Sequence, residues 1–231
     1  MLKADLHLHT CDGISEQFID YDAFKLIDVA SEQGFDVLSI TNHDSVTYND
    51  YLSDYARERG ILLIPGVEIT FRGKHILAYN IKNQLSTLHT VSDLTKLKDV
   101  NNLIIAPHPY FPAGHSLGRK FLEWQHLFDA VELSHFYTEN INYNKEAVLS
   151  AKQLCLPLIG TSDSHLLRQL NTTYTIIDAE KNVEAVIEAV KKGAVKIVTS
   201  PLSLLEVGLI ACELALKSSA KRIGTACFCF F

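Results

Sequence analysis

The sequence is short of most features that announce a familiar class. Its five cysteines, Cys11, Cys155, Cys212, Cys227 and Cys229, are odd in number and lack paired spacing. That excludes a disulfide framework and reads as a reduced, intracellular protein. There is no basic excess either: the formal net charge is −6, which argues against long nucleic acid as the main ligand unless bound cations reverse the field locally. No apolar stretch reaches the ~20 residues that span a bilayer. The most apolar helix pattern, about 201–216, is interrupted by Glu206 and Glu213. The first residues already read as a strand, so no signal peptide is expected, and a cytoplasmic location without a membrane partner is the expectation. No GxSxG elbow and no Gly-rich phosphate loop occurs. No linker, repeat or low-complexity run divides residues 1–231, which are read as a single domain. The ending "CFCFF" places Cys229 too early for a prenylation box; it reads as a packed or frayed terminus, or else as an oligomer or membrane contact.

What is present is alternation. At 231 residues and 47% hydrophobic content the chain can bury a substantial core. "KADLHLH" is strand-like, and "DYDAFKLIDVASEQG" is a helix with Ala23, Phe24, Ile27 and Ala30 on one face and Gly34 as its stop. "FDVLSIT" reads as a buried strand, "SVTYNDYLSDYARERG" as a helix capped by Ser45, and "ILLIPGVEIT" and "KHILAYNI" as further strands. Helices near 91–98, 117–127 and 140–153 then alternate with "LIIAP", "AVELSH" and "LPLIGTSDSH". "TYTII", the helix "VEAVIEAVKKG", "VKIV" and the last helix complete the pattern. Strand–helix repetition of this kind predicts a parallel sheet, and so many units in so short a chain predict its closure into an α/β barrel.

In such barrels chemistry sits at the C-terminal ends of the strands, and that is where the ten histidines gather. Seven of them, His7, His9, His43, His75, His108, His135 and His165, occupy or follow strands, whereas His89, His115 and His126 fall in loops or helices. His7 and His9 are two apart, so on a strand their rings share a face. Glu68 closes "LIPGVE" and Asp163 stands in "TSDSH". Polar groups collected in an apolar mouth are costly unless something satisfies them, and a metal cluster does so. Imidazole with carboxylate suits zinc, manganese or iron better than calcium or magnesium.

The ordered series "DLHLHT", "ITNHD", "PGVEIT", "KHILAY", "APHP" and "TSDSH" resembles the polymerase and histidinol phosphatase (PHP) superfamily over almost the whole chain. "HxH" alone would not do so, since it also opens amidohydrolases. The resemblance implies a distorted (β/α)7 TIM-like barrel with two or three divalent metal ions at the C-terminal rim of its strands. It implies His7, His9, Glu68 and Asp163 at a first metal, and Glu68, His75 and His108 at a second. A third would take His43, His165 and an acid of the first loop. "HTCDG" is two residues shorter than the family's usual text; Asp12 is the natural candidate for that acid, with Glu16 and Asp20 as alternatives.

Clustered divalent ions lower the pKa of bound water and neutralise phosphoryl oxygens during in-line attack. The expected function is therefore metal-dependent hydrolysis of a phosphate ester by metal-activated hydroxide. The substrate would be a small phosphomonoester, such as a nucleotide or histidinol phosphate. Glu68, Asp163 and His165 are the candidate catalytic residues; Arg168 and His135 are candidates for binding substrate, with Arg119 and Lys120 behind them. Tyr110 and Phe111 are candidates for stacking on a ring. Asp44 or Asp5 would orient an imidazole, and Cys11 is read as packing. The alternatives are an exonuclease acting on short oligonucleotide ends, an amidohydrolase, and a non-catalytic metal-stabilised interaction module. No lysine stands at a strand end to be the carbamylated bridge that amidohydrolase chemistry favours.

Overall fold

The computed structural model describes residues 1–81 and 88–227; the ending discussed above falls, for residues 228–231, outside them. The first strand, β1 (Leu2–Leu8), is buried along nearly its whole length on both faces, as a central strand must be. It pairs in parallel with β2 (Val37–Ile40) and antiparallel with β9 (Thr173–Ile177). With β3 (Leu62–Leu63) and β10 (Val195–Thr199) they form a five-stranded sheet ordered β10-β9-β1-β2-β3. A second five-stranded sheet runs in chain order through β4 (Gly66–Phe71), β5 (Lys74–Tyr79), β6 (Leu103–Ala106), β7 (Ala130–Ser134) and β8 (Leu158–Thr161).

The predicted closed (β/α)7 TIM-like barrel is therefore not what forms: both sheets are mixed, and no continuous ladder joins them among the described residues. The cause is local. β4 and β5 are joined by the two-residue turn Arg72-Gly73, with φ of 49° and 72°, a primed turn that forces an antiparallel hairpin where a barrel would need a helical crossover. β5–β6 and β9–β10 are antiparallel as well. At one seam the sheets meet through the single bridge His43–Glu68, and at the other through Leu8–Ser164. Beside the second seam the Thr175 hydroxyl donates to Gly160 O (2.8 Å) and accepts from Gly160 N (2.9 Å), doing by side chain what a ladder would do by backbone.

Three apolar layers hold the sheets in place. Leu6, Val37, Ile64, Leu77, Tyr79, Ile105 and Ile159 pack between them, joined by Val186, Ile187 and Val190 of α6 (Val183–Lys192). The outer face of the first sheet is covered by α1 (Ala23–Glu32) and α2 (Asp50–Glu58). That of the second is covered from α3 (Val91–Lys96), α4 (Lys120–Glu123) and α5 (Asn144–Gln153). Side-chain caps fix most helix starts: Asp22 accepts from Lys25 N, Asn49 from Leu52 N and Asn182 from Ala185 N. Asn49, not Ser45, thus begins α2, and α4 is a single turn rather than a helix over 117–127. The last helix, α7 (Leu204–Cys227), outruns the expected 201–216. It docks on Leu166 and Phe136 through Ile210 and Leu214 and is pinned by ion pairs Arg168–Glu213 (2.7 Å) and Lys217–Asp20 (2.8 Å). Among the described residues no helix is long and apolar enough to cross a membrane.

Candidate metal centre

The two sheet seams are where the chemistry-bearing side chains meet. β1 delivers His7 and His9 to one face, with ring centroids 5.1 Å apart. Beyond β2 the chain is fixed by Asn42, which accepts from Thr10 N (2.8 Å), and His43 then reaches Glu68 across the first seam. β5 returns from its tight turn to place His75 beside Glu68, and β6 ends in His108. β8 ends in Asp163 and, after the second seam, His165. His108 and Asp163 hold φ of 27° and 46°, left-handed backbone that costs on the order of 1 kcal/mol or more per residue and clusters at functional sites.

Glu68 is the centre. Its Oε2 lies 3.3 Å from His7 Nε2, 3.4 Å from His9 Nε2 and 3.1 Å from His43 Nε2. Its Oε1 lies 2.7 Å from His75 Nδ1 and 3.3 Å from His108 Nε2. Asp163 Oδ1 adds a second carboxylate, 3.3 Å from His7 Nε2 and 3.2 Å from His9 Nε2. Several of these short approaches are not hydrogen bonds: both nitrogens of His9 and Nδ1 of His75 are buried without a hydrogen-bond partner. Nitrogen and oxygen lone pairs aimed at a shared point, rather than at each other, are what a cation's ligands look like before it is added. Potential ligand atoms fall within 4.8 Å of one another in the sets His7/His9/Glu68, His9/Asp163/His165, His9/Glu16/His43, His43/Glu68/His75 and His75/His108/His115. Imidazoles gathered with carboxylates in this way fit a divalent cation.

Asp12 does not join them. Its Oδ2 accepts from Thr10 Oγ1 and from Ala23 N, both at 2.8 Å, so that short side chain is used up in holding the start of α1. Glu16, one of the two alternatives, takes the place: it is buried, its Oε1 is 2.5 Å from His43 Nδ1 and 3.5 Å from His9 Nδ1, and its Oε2 is unpartnered. Asp20 is drawn away to Lys217. Two participants escaped sequence reasoning altogether. His115 comes from a loop to stack on His75, centroids 4.3 Å apart and planes 14° from parallel. Glu132 of β7 is fully buried and accepts from His7 Nδ1 (2.6 Å), His108 N (2.6 Å) and Thr161 Oγ1. The only signal for Glu132 was an acid inside an otherwise apolar strand.

Electrostatics keep this cluster poised. Burial alone would raise the Glu68 carboxyl, but His7, His108 and His75 hold it well below the ordinary carboxylate range. Asp163 is held down against its burial by His7 and His9 in the same way. His7 is the mirror case: burial opposes its cationic form, yet Asp163, Glu132 and Glu68 raise its pKa well above the usual value, so a metal entering there releases a proton. His165 stays neutral, pushed down to about 3 by burial and by His9.

Beside the cluster opens a cavity of about 330 Å³, bordered at one end by His108, Asp163 and His165. His135 lines it too, its pKa pushed down to about 4 by burial, with Nε2 2.9 Å from the Gln169 amide. Arg168 does not face it: its guanidinium is committed to Glu213 of α7. Lys120 pairs with Glu123, Arg119 is exposed at the start of α4, and Tyr110 bonds Ser150 instead of stacking on a ligand. Phe111 does line the cavity. Asp44 accepts from Thr70 N rather than orienting an imidazole, and Cys11 packs against the α1 layer. Asp5 accepts from the backbone of His7 and Ser162, its pKa lifted by burial to about 7.

Residues 142–195 match a family model described as PHP-associated. Uncharacterized protein MJ1587 of Methanocaldococcus jannaschii is 32% identical over 160 residues, which cover 62% of this chain and 91% of that protein. Among solved structures, PsfC from Pseudomonas syringae aligns with a TM-score of 0.65 at 15% identity, covering 95% of this chain and 100% of that one. A proposed metal-dependent phosphoesterase from Bifidobacterium adolescentis aligns at 0.53 and 16% identity over 71% of this chain and 87% of its own.

Proposed function

We propose that the chain, whose residues 142–195 match the PHP-associated model, belongs to the polymerase and histidinol phosphatase superfamily and hydrolyses a phosphate ester of a small molecule with the help of bound divalent cations. Glu68, offering one oxygen to His7, His9 and His43 and the other to His75 and His108, is the observation that carries the reading. Such a carboxylate lets neighbouring cations share a ligand that lowers their mutual repulsion. His7, His9, Glu68 and Asp163 would hold one cation, Glu68, His75, His108 and His115 a second, and His43, Glu16 and His165 the surroundings of a third. Divalent ions in such a site lower the pKa of water and neutralise the oxygens of a phosphoryl group.

The protein's own part is to aim and to exclude. Glu132 accepts from His7 Nδ1, which fixes that proton on Nδ1 and leaves Nε2 free to face the centre. The Asp163 carbonyl does the same for His165, whose Nδ1 lies 3.1 Å away. His108, His115, Asp163 and His165 border the cavity, so they are the members that would touch what enters it.

The test is a protein stripped with chelator, reloaded with zinc, manganese or iron, and assayed on p-nitrophenyl phosphate and a phosphate-ester panel that includes short oligonucleotides. Turnover that needs the metal and disappears in His9→Ala is expected. Stoichiometric metal with no ester hydrolysed would overturn the reading in favour of a metal-stabilised interaction module.

A further inference from the structure

The cavity beside the metal centre has two unlike sets of lining residues. One is His108, His115, Asp163 and His165; the other is the apolar wall of Phe111, Phe136, Ile210 and Leu214, with Phe18 lining it too, its ring 6.0 Å from His165 and 11° from parallel. We propose that the alcohol released from the phosphate ester is apolar, an aromatic or branched aliphatic group seated against this wall beneath α7. This rests on the reading that phosphate esters are hydrolysed at the adjoining centre.

The lining carries the argument as much by charge as by shape. Among the described residues no lysine or arginine lines the cavity. Arg168 and Lys217, on the elements that frame it, are already paired with Glu213 and Asp20. Away from the metal-competent end the polar lining groups are Ser134, His135 and Gln169, and burial keeps the His135 ring neutral. A substrate carrying a second ionised group, such as a nucleoside diphosphate or an amino-acid phosphate, would bury that charge with no counter-ion, at a cost of several kcal/mol. Seating a ring there removes apolar surface from water on both sides. Phe111 meets Phe136 edge-on, centroids 5.7 Å apart and planes at 79°, which leaves ring faces for a third aromatic group. At about 330 Å³ the cavity is near the lower end for small-molecule sites, room for a phosphoryl group and one ring. Among the described residues it offers no cationic track of the kind a nucleic acid strand requires.

Benzyl phosphate and glycerol phosphate release alcohols of comparable leaving ability, so their ratio of kcat/KM in the metal-loaded protein reports the wall and not the chemistry. The ratio is expected to exceed about tenfold, the least discrimination that a single methylene equivalent in an apolar pocket provides. It is expected to fall toward unity in Leu214→Gln and in Phe136→Ala. A second arm measures binding alone, comparing benzylphosphonate with methylphosphonate, neither of which can be hydrolysed at an ester bond. Tighter binding of benzylphosphonate, with a negative heat-capacity change, supports the proposal even if no ester is turned over, in which case it is the proposed reaction that fails. Equal or weaker binding of benzylphosphonate, or a wild-type kcat/KM ratio at or below one, overturns it.

Discussion

Replacing Glu132 by glutamine tests the second layer of the metal centre without altering shape. The carboxylate accepts at both oxygens: His7 Nδ1 and Thr161 Oγ1 on one, His108 N on the other, with His7 and His108 N both at 2.6 Å. Glutamine offers one acceptor and one donor, so its NH2 must face a group that also donates. If it faces His108 N, a buried N–H loses its partner, at about 1–3 kcal/mol. If it faces His7, the imidazole avoids the clash by moving its proton to Nε2, the atom that points at Glu68 and Asp163. Either outcome costs about 2 kcal/mol of folding stability or its equivalent in metal affinity, and outer hydrogen-bond partners of this kind usually carry 10- to 100-fold in affinity or activity. Competition with a chromophoric chelator, alongside urea denaturation of the metal-free protein, separates the two. A Glu132→Gln protein that binds metal within about twofold of wild type and unfolds at the same urea concentration would refute the reasoning.

The remaining predictions concern the loop acids, pH and the seam. Glu16→Gln is expected to lower bound metal measured by elemental analysis, whereas Asp12→Asn leaves metal content intact and costs about 1 kcal/mol in urea through the start of α1; the reverse pattern would restore Asp12 to the centre. His135, with its pKa at about 4 against 6.5 unfolded, binds fewer protons folded than unfolded, so stability is lost as pH falls from 6.5 toward 4. The loss approaches about 3 kcal/mol, and His135→Gln should flatten that part of the urea-midpoint profile. Gly160→Ala places a Cβ 2.6 Å from Ile197 and 2.9 Å from Thr173, and is expected to destabilise by about 1–3 kcal/mol, visible as a lower urea midpoint.

Much of the side-chain cluster could be anticipated before any coordinates because several of its members obey strand periodicity. His7 and His9 alternate along the end of β1, His108 and Asp163 follow β6 and β8 by two residues, and Glu68, expected at a strand end, stands inside β4. Glu16 was harder because its position depends on how the first loop folds. Gly13 lets the loop double back so tightly that a Cβ there would lie 2.2 Å from Glu16 Oε2 and 2.8 Å from Asn42 Cβ, and spacing along the chain says nothing of such an approach. Arg168 looked free for an anion because Glu213, its partner, lies far away in sequence. The sheets were misjudged for a similar reason. Strand identity follows from local pattern, but direction is decided by turns, and Arg72-Gly73 outweighed the alternation around it.

The floor of the cavity is assembled from strand ends and their loops, while its roof is one helix held by two side-chain anchors and a small apolar seat. Chemistry and appetite are thereby written in different stretches of the chain. On the proposed reading, substitutions along α7 would change what is admitted without touching the clustered imidazoles and carboxylates, so a lineage could take up a new compound by drift in a single element.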